Sequence, residues 1–600
     1  MSMKKIIFAL FITLISISLF PARIFAQAID PQYIFVRKAP DICLPSDCSM
    51  LWNMAIPNRS FTEGIDEIVT KVGSLGTNQR KLGVGVLFYY NRQTYDFNTM
   101  QQSLRNLLST AQTKNIPLFI ALDGFQWWDG RPDLYNNPSN VEWTCNSNLC
   151  AVSKAWRNWG SEFEVSPHPN LASRTFIEDS KTRLKILLPI IVSWYQKLPA
   201  NKKWLLGGIS LGVETDIGGN YYYYKNGTST GKGLTDSTQL GYAAVNTLGL
   251  PGGITSSNLN EIIRRYSNEL DKLAYDTGIP RSKIFNHIGG IDISPNPAPS
   301  GLVFPTTDGA ISTYANPGWS FYGSVTGNPQ NFSGLTTTLN KVNNAQWASP
   351  EWNTYAGDYQ SYVSALKGSL NFRNNRFINI SNWEEIRDKP YKLTALKAVL
   401  SDSSSCWVSS PSILSVTVSG ANATLTWQKG TNNDAVYLIV SSVGEFNTAG
   451  VLASAYLVNE SVTNKNSYTI NNLTTGTYYW ELVADGCNST SLQRKIVDDR
   501  FVIGAAPTPT KASTATPKPS PTYVPKSTNT PYPTQKPALQ GDIASSRGAT
   551  PDGHVDSYDV NFLVSNFGKT GSVGFSPADI NRDGKVNIFD YSIVVENFGK

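Results

Sequence analysis

Leu82-Gly-Val-Gly-Val-Leu-Phe-Tyr89, then Phe97-Asn-Thr-Met-Gln-Gln-Ser-Leu-Arg-Asn-Leu-Leu-Ser-Thr-Ala-Gln-Thr-Lys114, then Ile116-Pro-Leu-Phe-Ile-Ala-Leu122 sets the architecture of the largest block of this 600-residue chain. An apolar run, a stretch with apolar residues at helical spacing and a second apolar run read as strand, helix, strand. The same alternation extends in both directions. Toward the N-terminus lie a strand at 33–36 and a helix at 62–75. Toward the C-terminus come a helix at 177–198, a strand at 204–211, a helix at 258–277 and strands at 284–288, 319–322 and 345–348. A helix at 359–369, a strand at 377–380 and a helix at 391–400 close the series. Eight strands alternating with helices predict an α/β architecture, a (β/α)8 barrel over residues 29–405 with large loops on one side.

In such barrels chemistry collects at the carboxyl ends of the strands. Two acids stand there: Glu214, after strand 4 in Leu205-Leu-Gly-Gly-Ile-Ser-Leu-Gly-Val-Glu214-Thr-Asp216, and Glu351, after strand 7 in Ala345-Gln-Trp-Ala-Ser-Pro-Glu351-Trp352. This placement resembles the retaining glycoside hydrolases of the large clan with (β/α)8 barrels. The resemblance implies hydrolysis of a poly- or oligosaccharide by double displacement, with Glu214 as acid/base, Glu351 as nucleophile and no cofactor for catalysis. Those enzymes usually carry Asn immediately before the strand 4 acid, whereas Val213 stands there in this chain. That departure favours the competing reading, a non-catalytic carbohydrate-binding or adhesion protein with a degenerate barrel.

Residues that suit a sugar cleft flank the pair. Phe125-Gln126-Trp127-Trp128-Asp129-Gly130 follows strand 3, Tyr221-Tyr-Tyr-Tyr224 follows Glu214, and Trp352 and Trp383 lie near the ends of strands 7 and 8. Flat rings stack on the apolar faces of pyranoses, although about half of such rings belong to the core. Asp123 and Asp129 are candidates for binding hydroxyls, His287 and Tyr322 for orienting the nucleophile, and Glu384 or Glu385 for a substitute acid.

From 409 to 503 short alternating strands separated by turn signals predict a β-sandwich. Thr424-Leu-Thr-Trp427 and the later Tyr468-Thr-Ile-Asn-Asn-Leu473-Thr-Thr-Gly-Thr-Tyr478 resemble a fibronectin type III domain, placed at 406–504. The resemblance implies a core role for Trp427, a tyrosine corner at Tyr478, and a part in spacing or substrate presentation; a dedicated sugar-binding module is the alternative. Residues 505–540 carry Pro-Thr-Pro-Thr, Pro-Lys-Pro-Ser-Pro-Thr and Pro-Tyr-Pro-Thr without apolar periodicity and read as a linker.

The last segment, 541–600, contains a duplication: Asp552-Gly-His-Val-Asp-Ser-Tyr-Asp559 and Asp583-Gly-Lys-Val-Asn-Ile-Phe-Asp590 recur at a spacing of 31 residues. The second copy offers Asp579, Asn581, Asp583, the Lys585 carbonyl, Asn587 and Asp590 at positions 1, 3, 5, 7, 9 and 12 of a calcium loop. The first copy offers Asp542, Asp552, His554, Asp556 and Asp559, interrupted by an insertion at 545–551. The pattern resembles a type I dockerin, a small all-α pair of EF-hand-like calcium loops, and implies a cohesin-like or other cell-surface partner. Its usual recognition positions here hold Ser557-Tyr558 and Ile588-Phe589 rather than paired small hydroxyl residues.

The N-terminus, with Lys4 and Lys5 before an apolar run at 6–20 and small residues to Ala28, reads as a secretory signal peptide over 1–28. Its removal takes Lys4, Lys5 and Arg23, so net charge falls from +6 to +3, a balance that argues against nucleic acid as partner. No later segment is long and apolar enough to span a membrane, so a secreted or surface-associated protein is expected. Six cysteines fall as Cys43/Cys48, Cys145/Cys150 and Cys406/Cys487. In an exported chain these read as disulfides, and a four-cysteine zinc site built from the two short pairs is the alternative.

Overall fold

The computed structural model describes residues 31–38, 61–93, 96–158, 162–219, 223, 237–289, 301–402, 408–486, 493–504, 541–545 and 551–597, the last without 573, 574, 583 and 587. The signal segment, the linker, Tyr221, Cys43, Cys48, Cys406, Cys487, Asp583 and Asn587 lie outside the described residues.

Strands β1 (Gln32–Arg37), β2 (Arg80–Tyr89) and β3 (Leu118–Asp123) begin the barrel. A short hairpin, β4 (Ala155–Asn158) and β5 (Glu162–Val165), rises from the loop after β3. The barrel then continues with β6 (Leu206–Ser210), β7 (Gly318–Tyr322), β8 (Trp347–Asn353) and β9 (Asn375–Ile380). These seven barrel strands form one parallel sheet in the order β6-β3-β2-β1-β9-β8-β7. The two edges are joined by the 284–288 segment, which bridges Ile209 and Thr215 on one side and Asn316 and Trp319 on the other, all in parallel. Its Phe285 N–H donates to the Ile209 carbonyl at 2.9 Å, and its Ile288 carbonyl accepts from Ser320 N–H at 3.1 Å. The expected fifth strand thus exists as a bridging segment that closes the ring.

The ring is plugged by Phe35, Phe119, Phe285 and Phe377, with Phe377 4.8–5.2 Å from the other three ring centroids. Two glycines make room for Phe35. A Cβ on Gly83 would lie 2.5 Å from its ring, and one on Gly207 2.4 Å from it. The glycines inside β2 and β6, unfavourable for strands on propensity alone, are therefore the complement of an aromatic centre.

Helices Phe61–Val72, Phe97–Lys114, Arg174–Lys197, Ser256–Thr277, Tyr359–Leu370 and Pro390–Ser401 pack apolar stripes such as Leu104, Leu107 and Leu108 toward the sheet. Arg174–Lys197 starts three residues earlier than its apolar period indicates, because the Ser173 side chain accepts from Phe176 N–H and caps the end there. Helix Ser333–Lys341, between β7 and β8, has no counterpart in the sequence reading. Strand β8 also differs: the sequence pattern ends it at Ala348, whereas it runs to Asn353 through a register irregularity between Ser349 and Trp352. The missing N–H of Pro350 falls in that irregularity, while its carbonyl accepts from Asn379 Nδ2 at 2.8 Å. Glu351 therefore sits within the strand.

Downstream, β10 (Ser412–Ser419), β11 (Asn422–Gln428), β12 (Ala435–Ser441), β13 (Tyr456–Ser461), β14 (Ser467–Ile470), β15 (Gly476–Gly486) and β16 (Gln493–Ile503) form two antiparallel sheets. Their orders are β10-β11-β14 and β13-β12-β15-β16. Between them Leu425, Trp427, Leu438, Trp480 and Leu482 are buried, and Tyr478 O–H donates to the Thr474 carbonyl at 2.9 Å.

This sandwich is seated on the barrel. The Asp498 carboxylate accepts from the backbone N–H groups of Arg281 at 2.8 Å and Ser282 at 3.0 Å. Arg500 donates to the Asp276 carbonyl at 3.0 Å, and Phe446 meets Tyr275 edge-on at 5.3 Å. The Arg281 guanidinium bonds the carbonyls of Thr313 and Ala315 and lies 5.6 Å over Phe446. Every barrel partner here precedes a strand or ends a helix, so the sandwich covers the amino-terminal end of the barrel. A part in presenting substrate at the opposite, carboxyl-terminal mouth does not follow from this seating.

In the C-terminal segment helices Ser557–Asn566 and Ile588–Asn597 share a small core with Ile543, Val555 and Val586. Cys145 and Cys150 form a disulfide. That bond removes two of the four ligands required by the zinc alternative. No described helix is long and apolar enough to cross a membrane.

Candidate active site

At the carboxyl-terminal mouth the barrel brings Glu214, His287 and Glu351 together. One carboxylate oxygen of each glutamate and a ring nitrogen of the histidine all lie within 4.8 Å of one another. All three side chains are buried. Tyr322, at the end of β7, bridges the acids, donating its O–H to Glu351 Oε1 at 2.5 Å while lying 3.3 Å from Glu214 Oε1. A phenol has one proton, so its oxygen is left to accept from Glu214 when Glu214 is protonated.

The surroundings drive the acids apart electrostatically. Burial, then the charge of Glu351, pushes Glu214 up to about 7. Burial also pushes Glu351 upward, but the adjacent guanidinium and the hydroxyl donors of Tyr322 and Ser381 outweigh it and hold this acid below the usual range. That guanidinium is Arg37 at the end of β1, whose Nη1 donates to Glu351 Oε2 at 2.8 Å. Arg37 is itself aimed by Ser381 Oγ at 2.8 Å and Asn382 Oδ1 at 2.8 Å. Ser381 completes the set by donating to Glu351 Oε1 at 3.0 Å. Glu351 is thus an ionised, fully engaged carboxylate, and Glu214 is a carboxyl poised near neutrality.

Glu214 has its own support. Ser320 Oγ donates to its Oε1 at 2.8 Å and Gln126 Nε2 approaches its Oε2 at 3.4 Å. His287 Nε2 lies 3.0 Å from Ser320 Oγ. Burial drives His287 down to about 4, so at neutral pH the ring is uncharged and its Nε2–H donates into the Ser320–Glu214 chain. His287 was expected to orient the nucleophile; its ring nitrogen lies within 4.8 Å of both carboxylates and it reaches Glu214 through Ser320, while Tyr322 touches both acids.

The remaining candidates divide. Trp127 is half-buried near the mouth, with the Arg92 guanidinium 4.5 Å over its ring and Tyr89 edge-on at 6.2 Å. Asp129 is partly exposed and accepts from Gln93 N–H at 3.2 Å. Asp123 is wholly inaccessible, its carboxylate taken by the N–H groups of Gln126 at 2.7 Å and Val213 at 3.2 Å, so it has no oxygen to offer a sugar hydroxyl. Trp128, Trp352 and Trp383 are completely buried. Trp128 donates to the Pro167 carbonyl and Trp352 to Ser369 Oγ, each at 2.8 Å, so these rings belong to the core. Glu384 lies 3.6 Å from Lys38, and Glu385 accepts from Asn353 at 2.8 Å; neither belongs to the carboxylate cluster.

Arg37, Ser320, Ser381 and Asn382 have no counterpart among the sequence candidates, and Gln126, which lies in the 125–130 stretch, gains its place facing Glu214 only in the structure. The signal for Arg37 was present, since a cation directly following Tyr33-Ile-Phe-Val36 occupies the same kind of position as Glu214.

Neither a protein-family model nor a curated protein matches this chain. Among solved structures it is similar to the catalytic domain of a beta-amylase from Paenibacillus polymyxa at 8% identity and TM-score 0.36, over 62% of this chain and 98% of that one. It is also similar to an alpha-amylase from Malbranchea cinnamomea at 10% identity and TM-score 0.31, over 74% and 94%. A third is the exo-beta-1,4-mannosidase Op5Man5 from Opitutaceae bacterium strain TAV5, at 14% identity and TM-score 0.28, over 62% of this chain and 57% of that one. At TM-scores of this size the overlaps are loose, and no functional weight rests on them.

Proposed function

We propose that the chain is an exported retaining glycoside hydrolase acting on a poly- or oligosaccharide, with Glu351 as nucleophile and Glu214 as acid/base. The observation that carries this reading is the pair of buried carboxylates, with oxygens within 4.8 Å and pKa values displaced in opposite directions. Retaining enzymes hold their two carboxyl groups about 5–5.5 Å apart, whereas inverting ones leave about 6.5–9.5 Å for a water. Ionised Glu351 attacks the anomeric carbon while protonated Glu214 gives its proton to the departing oxygen. The resulting glycosyl ester removes the charge of Glu351, which lowers the pKa of Glu214 and frees it to take a proton from water. Arg37 disfavours a cation in the same cluster by placing a fixed positive charge 2.8 Å from Glu351.

The sandwich fits a fibronectin type III-like role as a structural companion of the barrel. In the C-terminal segment Asp579, Asn581, Asp583, Lys585, Asn587 and Asp590 are the proposed calcium ligands, with a second, interrupted loop at Asp542, Asp552, His554, Asp556 and Asp559. Supporting this, Asp579 accepts from Gly584 N–H at 3.1 Å and Asp590 from Asn581 N–H at 3.0 Å, which folds hard oxygen donors into one loop. Gly584 has a φ of +82° at the sharp turn such a loop requires. The module would tether the enzyme to a cohesin-like or other cell-surface partner.

Azide rescue on activated aryl glycosides tests the catalytic assignment. Glu351→Gly with azide should yield a glycosyl azide of inverted configuration, and Glu214→Gly one of retained configuration. Wild-type turnover in both variants, or a first-formed product of inverted anomeric configuration from the wild type, sinks the reading.

A further inference from the structure

Glu214 has a φ of +48°, in the left-handed region that residues with a Cβ enter only at an energetic cost. Such a conformation persists only where its neighbours are tied down, and here they are. Thr215 N–H donates to the His287 carbonyl at 2.8 Å, and Val213 N–H donates to Asp123 Oδ1 at 3.2 Å. The second oxygen of Asp123 accepts from Gln126 N–H at 2.7 Å. Gln126 in turn points its amide nitrogen at Glu214 Oε2 and accepts from Tyr89 O–H at 3.3 Å. One carboxylate at the end of β3 therefore fixes both the main chain that carries Glu214 and the side chain facing its second oxygen.

We propose that Asp123, acting through Val213 and Gln126, is the positioning residue for the general acid; this rests on the glycosidase reading. Without it, two buried N–H groups would lose their acceptor. With the clamp on Val213 gone, Glu214 can return to negative φ, which swings its carboxyl away from the leaving oxygen. A displacement of about 1 Å at a reacting group costs on the order of 10²-fold in rate. The loss falls on proton delivery and not on attack by Glu351, which is held from β1 and the end of β9 by different residues.

Leaving-group dependence separates these two steps. kcat/KM is measured for the wild type and Asp123→Asn on phenyl and 2,4-dinitrophenyl glycosides of the sugar that the wild type hydrolyses. Dinitrophenolate departs without a proton; phenolate needs one. Asp123→Asn should lose about 10²-fold on the phenyl glycoside, within the usual range for general acid catalysis, and less than about fivefold on the dinitrophenyl glycoside. Equal losses on both overturn the proposal. If Asp123→Asn shows no cooperative thermal transition, Asp123→Ser, which removes the carboxylate that clamps Val213 and Gln126 but keeps a short polar side chain, decides by the same comparison. Glu351→Gln is run alongside. If it still cleaves the dinitrophenyl glycoside at the wild-type rate, the glycosidase reading itself fails, an outcome distinct from equal losses in Asp123→Asn with an inactive Glu351→Gln.

Discussion

Replacing Glu351 by Gln should lower the pKa of Glu214, by an amount the geometry bounds. Two unit charges within 4.8 Å at an effective dielectric of about 20 repel by about 3.5 kcal/mol, equivalent to about 2.5 pH units. Burial is the larger cause of the elevated value and survives the substitution, and Arg37 remains nearby to favour the ionised form. Both act alike before and after the substitution, so the expected fall is about two to three units from the present value of about 7. The assay is a 13C NMR titration of glutamate side-chain carboxyls in the wild type and Glu351→Gln, with Glu214→Gln to assign the resonance. A Glu214 titration that stays put or moves upward would refute the electrostatic account. It would also remove the physical basis for the acid-to-base switch, since forming the glycosyl ester abolishes the same charge.

Arg37→Gln removes the cation that lowers both carboxylates, so both limbs of the pH profile of kcat/KM should move to higher pH; a profile unchanged on its acid side contradicts the pairing. Asp498→Asn weakens the charged acceptor of two backbone N–H groups and should destabilise the protein by about 2–4 kcal/mol in denaturant titration, with near-normal turnover at low temperature. Gly207→Ala places a Cβ 2.4 Å from the Phe35 ring and should cost about 1–3 kcal/mol, read as a lower thermal midpoint. Chelation by EGTA should make the last sixty residues protease-sensitive while kcat holds; protection unchanged by EGTA would count against calcium there.

Periodicity made the barrel legible because strands such as β1, β2 and β3 are apolar runs separated by helical stripes. It failed where local chemistry overrode pattern. Pro350 marked an end to β8 that the strand absorbs in an irregularity, so Glu351 lay inside a strand and not after one. Helix Ser333–Lys341, Ser-Gly-Leu-Thr-Thr-Thr-Leu-Asn-Lys, has few strong helix formers and no side-chain cap at its start; tertiary packing of Leu335 and Leu339 holds it. The two carboxylates were found because strand ends in a barrel are few and acids there are conspicuous. Their supporting groups were not, because Ser320, Ser381 and Gln126 are ordinary polar residues whose meaning appears only when β7, β9 and the β3 loop converge. The aromatic candidates were hardest: Trp128 and Trp127 are adjacent in sequence, yet one is core and the other borders the mouth, a distinction set by which side of the chain faces Phe176.

The seating of the sandwich has a consequence for how this chain was assembled. Shuffling of genetic modules works when each piece folds without its neighbour, and the junction near residue 405 looks from composition like such a seam. Asp498 and Arg500 grip the backbone of Arg281, Ser282 and Asp276 across that seam, so cutting the chain there would strip those backbone groups of their partners. A transplant of the barrel alone would leave the N–H groups of Arg281 and Ser282 without the carboxylate that now accepts from them.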